Sequence, residues 1–143
     1  LKVLLTIPGP PQGKARARVF QFHGRMIAST PKGTRLYEGV IRDIFSFEYP
    51  GFEPLTGGLS VVLRIYQPIP KAKAGLRNME LIERGELRPT TRPDADNVIK
   101  AALDALAGAA YRNDSQIVSL TADKYYSTRP RLEIEISEAS PHA

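Results

Sequence analysis

The sequence predicts an α+β (mixed α/β) fold, a single domain over residues 1–143 with a mixed sheet of about four to five strands packed against two main helices. Three observations lead there. Several short runs alternate apolar and polar residues with the period of a half-buried strand. Two longer windows repeat apolar residues at helical spacing. The two helical windows fall unevenly between the strands, so both helices are expected to cover one sheet rather than alternate with every strand.

Lys2 to Ile7 is rich in apolar and β-branched residues and reads as the opening strand, stopped by Pro8-Gly9-Pro10-Pro11. Lys14 to Phe22 and Arg25-Met26-Ile27 flank His23-Gly24, the signature of a hairpin. Its arginines suit either a phosphate contact or a solvated strand edge. Tyr37, Val40, Ile41, Ile44 and Phe45 then form a buried helical stripe, ended by Pro50-Gly51. Past Gly57-Gly58, Leu59, Val61, Leu63 and Ile65 alternate with Ser60, Val62, Arg64 and Tyr66, a strand that Pro68 and Pro70 terminate. Residues 71–91 are polar and basic, with a short helical hint at Met79, Leu81 and Ile82, and are expected to be a mobile or irregular loop. Val98, Ile99, Ala102, Leu103 and Leu106 make the second helical stripe, which Gly108 stops. Ile117 to Tyr126 and the alternation of Leu132, Ile134 and Ile136 supply the last two strands. Residues 139–143 read as a disordered tail.

Composition narrows the chemistry. There is no cysteine, and His23 and His142 stand far apart, which excludes disulfides, thiolate zinc sites and histidine clusters. Any metal must be held by oxygen. No run reaches the length of a membrane span and no signal pattern opens the chain, so a cytoplasmic, intracellular protein is expected, with Leu1 marking a trimmed N-terminus. The net charge of +5 suits an acidic partner such as nucleic acid. Basic residues gather at Lys14, Arg16, Arg18 and Arg25 and again at Lys71, Lys73, Arg77, Arg84, Arg88 and Arg92, the second group diluted by Glu80, Glu83 and Glu86.

Acids, a lysine and a helix start coincide only between Arg92 and Gln116. Asp94 and Asp96, two apart in an extended approach to the helix, project to one side. Lys100, one turn beyond Asp96, overlooks them. Asn113 and Asp114 follow the helix and offer a third carboxylate. Asp94, Asp96 and Asp114 are hard oxygen ligands suited to Mg²⁺ or Mn²⁺ that keeps waters and substrate phosphate oxygens. Such a site in a basic protein fits phosphodiester hydrolysis, with Lys100 stabilising charge on the phosphate or orienting the attacking water. The plainer reading of the same residues is a helix cap, an ordinary Asn-Asp turn and a surface lysine. Asp104 reads as surface, and Tyr111, Tyr125 and Tyr126 as packing residues rather than base platforms.

The run from Arg92 to Leu106, followed by Tyr111 to Val118, strongly resembles the RusA family of Holliday junction resolvases. The proline-then-basic segment Pro8 to Arg18, Thr30-Pro31-Lys32 and Pro68-Ile69-Pro70-Lys71 extend the likeness over nearly the whole chain. The resemblance implies a bacterial or phage-encoded, often prophage-borne, homodimer that binds branched DNA. With Mg²⁺ and no small-molecule cofactor, it makes paired nicks in a four-way junction during recombination and repair. It places the catalytic residues on Asp94, Asp96, Lys100 and Asp114, with Asn113 standing where some relatives carry another acid. Lys14, Arg16, Arg18, Lys71, Lys73 and Arg92 are the expected DNA contacts. Competing readings are a nuclease of the same fold acting on flaps, forks or other phage intermediates, a DNA-binding module without catalysis, and an interaction protein that binds no nucleic acid.

Overall fold

The computed structural model describes residues 2–15, 18–29 and 31–139. Its frame is a four-stranded mixed sheet in the order β1 (Lys2–Pro8), β6 (Arg131–Glu138), β4 (Leu59–Pro68), β5 (Ile117–Ser127). The β1/β6 and β6/β4 pairs are antiparallel and the β4/β5 pair is parallel. Two parallel neighbours cannot be joined by a tight turn. The link from β4 to β5 accordingly holds the helices α2 (Leu76–Glu83) and α3 (Ala95–Leu106). A separate hairpin of β2 (Arg18–Phe22) and β3 (Arg25–Ser29) precedes α1 (Lys32–Glu48). The sequence-predicted turn lies there, with His23 and Gly24 at φ 50 and 75°, the left-handed pair that a two-residue hairpin turn requires.

Alternation sorts the sheet into a buried and an open face. Val3, Leu5 and Ile7 of β1, Val61, Leu63 and Ile65 of β4, and Leu132, Ile134 and Ile136 of β6 are all buried under α1 and α3. The helix stripes differ slightly from the sequence expectation. In α1 the buried residues are Thr34, Tyr37, Ile41 and Phe45, while Val40 is exposed. In α3 they are Val98, Ala101, Ala102, Ala105 and Leu106, with Ile99 and Leu103 half-buried at the margin. The physical reason is close approach: α1 packs directly on α3, and alanines on the facing side let the backbones come near.

The open face is polar and internally neutralised. Lys2 pairs with Glu135 at 2.5 Å, Arg64 reaches Glu133 and Glu135, and Arg131 bonds Glu133. Lys2 and then Arg64 hold the Glu135 carboxyl below its ordinary pKa. Tyr66 and Tyr125 stack with centroids 5.3 Å apart, capped by Arg131 and Arg88 at 3.8 and 4.5 Å. Both tyrosines pack on the sheet, as the sequence reading expects for Tyr125.

Residues 71–91 are more regular than the sequence suggests. A 3-10 turn at Lys71–Lys73 leads into α2, whose Met79 and Ile82 line a hollow against Tyr66, Tyr125 and Tyr126. The helical hint was short because only one turn of α2 has an apolar side to bury. At the C-terminus Ala139 still donates to the Gly58 carbonyl at 2.9 Å, and residues 140–143 of the expected tail lie outside the described residues. Among the described residues no helix is long and apolar enough to cross a membrane.

Ile41→Ala, which empties a fully buried site at the α1/α3 contact, is expected to cost about 2–5 kcal/mol in urea denaturation. Val40→Ala on the exposed side should change stability by less than about 0.5 kcal/mol.

Candidate active site

The strands β1 and β4 run in the same direction, because each is antiparallel to β6. Their carboxyl ends therefore open at one end of the sheet, where the chain after β1 and the start of α3 meet. A cleft of about 960 Å³ forms there, lined by Gln12, Gly13, Lys14, Ala15, Arg92, Pro93, Asp94, Asp96, Asn97 and Lys100.

One wall is residues 12–15, and the other is the first turns of α3. Lys14 N donates to the Asn97 carbonyl at 2.9 Å and Ala15 N to Thr34 Oγ1 at 3.0 Å. Gly13 sits so close that a Cβ there would lie 2.9 Å from Asn97 Cβ and 3.3 Å from Pro93 Cβ. Only glycine fits without displacing the acidic wall. The Lys14 ammonium bridges Glu38 of α1 at 3.0 Å and Asp104 of α3 at 2.5 Å. The hydrogen bond with Asp104 outweighs partial burial and raises the Lys14 pKa above 10.5, with Glu38 adding to it.

Asp94 occupies the N-cap position of α3 with extended backbone angles, and Asp96 lies in the first helical turn. They thus share the cleft through a bend that turns directly into the helix, with only Asp94 extended, rather than both through the extended segment the sequence suggests. Asp94 makes no capping hydrogen bond with its side chain. Asp94, Asp96 and Lys100 are exposed, and among the described residues none of them forms an ion pair. Two carboxylates and an ammonium group therefore face one cleft without internal partners. As a donor set, the two carboxylates suit a hard divalent cation that retains several waters.

Residues 8–137 match the family described as Endodeoxyribonuclease RusA. The chain belongs to the RusA endodeoxyribonuclease family. It is also 34% identical over 139 residues to the uncharacterized protein YqaN of Bacillus subtilis (strain 168), covering 96% of this chain and 97% of that protein. The resemblance to the RusA family is thereby borne out.

In this RusA-family chain Asp114 stands apart from the other acids. It opens a 3-10 turn, Asp114–Gln116, just before β5. Turn chemistry there is supplied by its neighbours: Asn113 Oδ1 accepts from Ser115 N, and Gln116 Oε1 accepts from the Arg112 and Asn113 amides, each at 2.9 Å. The Asp114 carboxylate is left free by them. It lies near Tyr111, whose hydroxyl donates to the Leu103 carbonyl. Burial first, then the Asp114 and Asp104 charges, raise the Tyr111 pKa far above its ordinary value. Leu103 is seven residues along α3 from Asp96, a rise of roughly 10 Å. Asp114 does not line the cleft, and no group of three acidic or histidine residues that could hold a metal occurs among the described residues.

The expected DNA contacts are dispersed. Arg92 lines the cleft and is exposed. Lys71 is exposed just after β4, and Lys73 lies 5.9 Å over the Tyr126 ring. Arg16 lies outside the described residues, and Arg18 is placed by its backbone pairing with Ser29. Lys14 is engaged by its two carboxylates.

Three supports escaped the sequence reading. Gln67 is buried and its Nε2 donates to the Arg92 carbonyl at 3.1 Å, steadying the approach to Asp94, where the Arg92–Pro93 peptide is cis. A signal existed: Gln67 continues the buried alternation of β4 as its one polar member. Lys124 Nζ holds the Thr91 carbonyl at 2.6 Å, and Gly13 admits the close contact with α3. Nothing in the local pattern marks those two, since each depends on a segment distant in sequence.

Folding raises the Lys14 pKa, so its stabilising contribution is complete below 10.5 and is lost as pH rises through the folded value. Urea midpoints measured from about pH 9 to 12 should fall, and the fall should be shallower in Lys14→Met.

Proposed function

We propose that this protein is a Mg²⁺-dependent endonuclease that resolves four-way DNA junctions by paired nicks, acting as a homodimer in recombination and repair. The observation that carries the reading is the cleft in which Asp94, Asp96 and Lys100 converge without partners, although Asp94 sits where a helix cap would ordinarily be used. A pure capping role leaves that unexplained. Family membership supplies the nuclease class, and the net charge of +5 suits a DNA substrate.

Asp94 and Asp96 would hold the metal ion, with Mn²⁺ a substitute, and Asp114 would complete the set. When bound, the ion supplies Lewis-acid activation and a water of lowered pKa. The chain's own groups do the rest. Lys100 faces the scissile phosphate, offsets the charge that develops on it and helps orient the attacking water. Arg92, at the rim, and Lys71 draw the backbone toward the acids, whose charge otherwise repels it. Lys14 keeps the wall of the cleft in place through Glu38 and Asp104.

One chain brings only two of the three aspartates into the cleft, and a second copy offers the third. The outer edge of β5 is unpaired in the sheet. Arg88 covers its far end by donating to the Lys124 carbonyl at 2.8 Å, whereas Val118 and Leu120 nearer the start are 68 and 44% exposed. Antiparallel pairing of two such edges across a two-fold axis sends Asp114 of the partner subunit toward the Lys124 end of the strand. That end is tied to Thr91 beside the acid pair. Each junction then meets two equivalent sites.

A labelled four-way junction and a linear duplex, each with and without Mg²⁺, test the reading. Paired nicks in the junction alone are expected, and Asp96→Asn should lower their rate by roughly 10³-fold or more while binding persists. Lys100→Met should lower it by about 10²-fold. Binding without cleavage under every condition would leave a DNA-binding module, and equal cleavage of flaps or forks would broaden the substrate. Mixed dimers of Asp96→Asn and Asp114→Asn chains should regain one working site and nick a single strand. Mixed dimers as inactive as either parent would place all three aspartates of a site in one chain.

A further inference from the structure

The tip of α2 is built unlike the rest of the surface. A single exposed leucine is ordinary on a soluble protein. Leu76, however, is 89% exposed at the first position of a helix that is held down elsewhere. Met79 and Ile82 turn toward Tyr125 and Tyr126, Lys73 lies over the Tyr126 ring, and Gly85 closes the helix against Tyr125. The preceding 3-10 turn is fixed by Lys73 N to Pro70 O at 2.9 Å and Ala74 N to Lys71 O at 3.2 Å. The leucine is thus carried outward on a fastened support.

Its surroundings point to the partner. From Lys71 to Met79 the chain has three cations, Lys71, Lys73 and Arg77, and no acid. Lys71 and Arg77 are exposed, and among the described residues neither forms an ion pair. The tip follows the carboxyl end of β4, the same end at which the acidic cleft opens, and Gln67 there links β4 to Arg92. Phe47 makes the contrast. It is 84% exposed too, but it lies near the far end of α1, which Tyr49 ties to Leu4 at the start of β1, and its neighbours include Asp43 and Glu48. An apolar tip flanked by unpaired cations matches a wedge inserted between bases while the flanking charges hold the phosphates.

We propose that Leu76 is a DNA wedge that enters the base stack at the branch point of the junction, with Lys71 and Arg77 gripping the backbone on either side. The wedge separates bases at the crossover and presents the opened strand to the cleft. It thereby makes Leu76 a specificity-determining residue for branched over linear DNA. The inference rests on the nuclease reading above and adds to it a means of choosing the substrate.

The test uses the full chain and a four-way junction carrying 2-aminopurine beside the branch point, in metal-free buffer so that no cleavage occurs. Wild-type binding should raise the 2-aminopurine fluorescence several-fold as the base unstacks. Leu76→Ser, at a site too exposed to disturb folding, should bind within a few-fold of wild type yet give no rise, and should cleave the junction roughly tenfold more slowly when Mg²⁺ is added. Leu76→Phe should retain both signals. An equal fluorescence rise in Leu76→Ser, or junction cleavage by the wild type without any rise, overturns the wedge and leaves the nuclease standing. A wild type that neither binds nor cleaves the junction overturns both.

Discussion

The close contact between residues 12–15 and the start of α3 is the constraint on which the site depends. Gly13 lets the two backbones approach to a distance that a side chain would block, and the Lys14 amide bonds the Asn97 carbonyl inside that contact. Lys14 then spans Glu38 and Asp104, tying α1 and α3 together from the rim. The acid pair gains a fixed wall opposite it, and the cleft keeps its width. From the other side, Gln67 and Lys124 hold the Arg92 and Thr91 carbonyls, so the approach to Asp94 is anchored to two neighbouring strands. Rigid supports of this kind are what a site built of exposed, mutually repelling carboxylates needs.

Charge is divided between the two ends of that design. On the open face of the sheet Arg64, Arg88 and Arg131 are matched with Glu133, Glu135 and Asp123 or laid over tyrosine rings, which leaves little field to attract DNA. Among the described residues, four cations without carboxylate partners, Lys71, Arg77, Arg92 and Lys100, lie in the connection that follows the carboxyl end of β4. A modest net charge can therefore produce a local positive rim about an acidic cleft. Asp94 and Asp96 lie in the cleft beside Arg92 and Lys100.

Much of this was legible in the sequence because it depends on local periods. Alternation located β1, β4 and β6 and their buried faces, and His23-Gly24 located the hairpin turn. Helical spacing found α1 and α3. It misjudged Val40 and put Ile99 and Leu103 in the stripe where they only border the core, because the side of a helix that is buried depends on what it packs against and not on its own period. The helix α2 was nearly invisible, since its support comes from tyrosines of β4 and β5 rather than from its own sequence.

The site divides along the same line. Asp94, Asp96 and Lys100 are neighbours in sequence, so their common cleft followed from a helix start, and the family was legible in the central run together with its flanking segments, in line with a match over residues 8–137. Asp114 is separated from them by the length of α3, and only the tertiary structure decided that it lies beside the far half of that helix. Tertiary structure alone also decided that Lys14 is held by two acids, that Gln67 is buried for a purpose, and that Leu76 stands outward among free cations. Sequence fixes what a residue can do chemically and what its near neighbours are. The distances that turn this into a site are set by long-range packing, which no local pattern encodes.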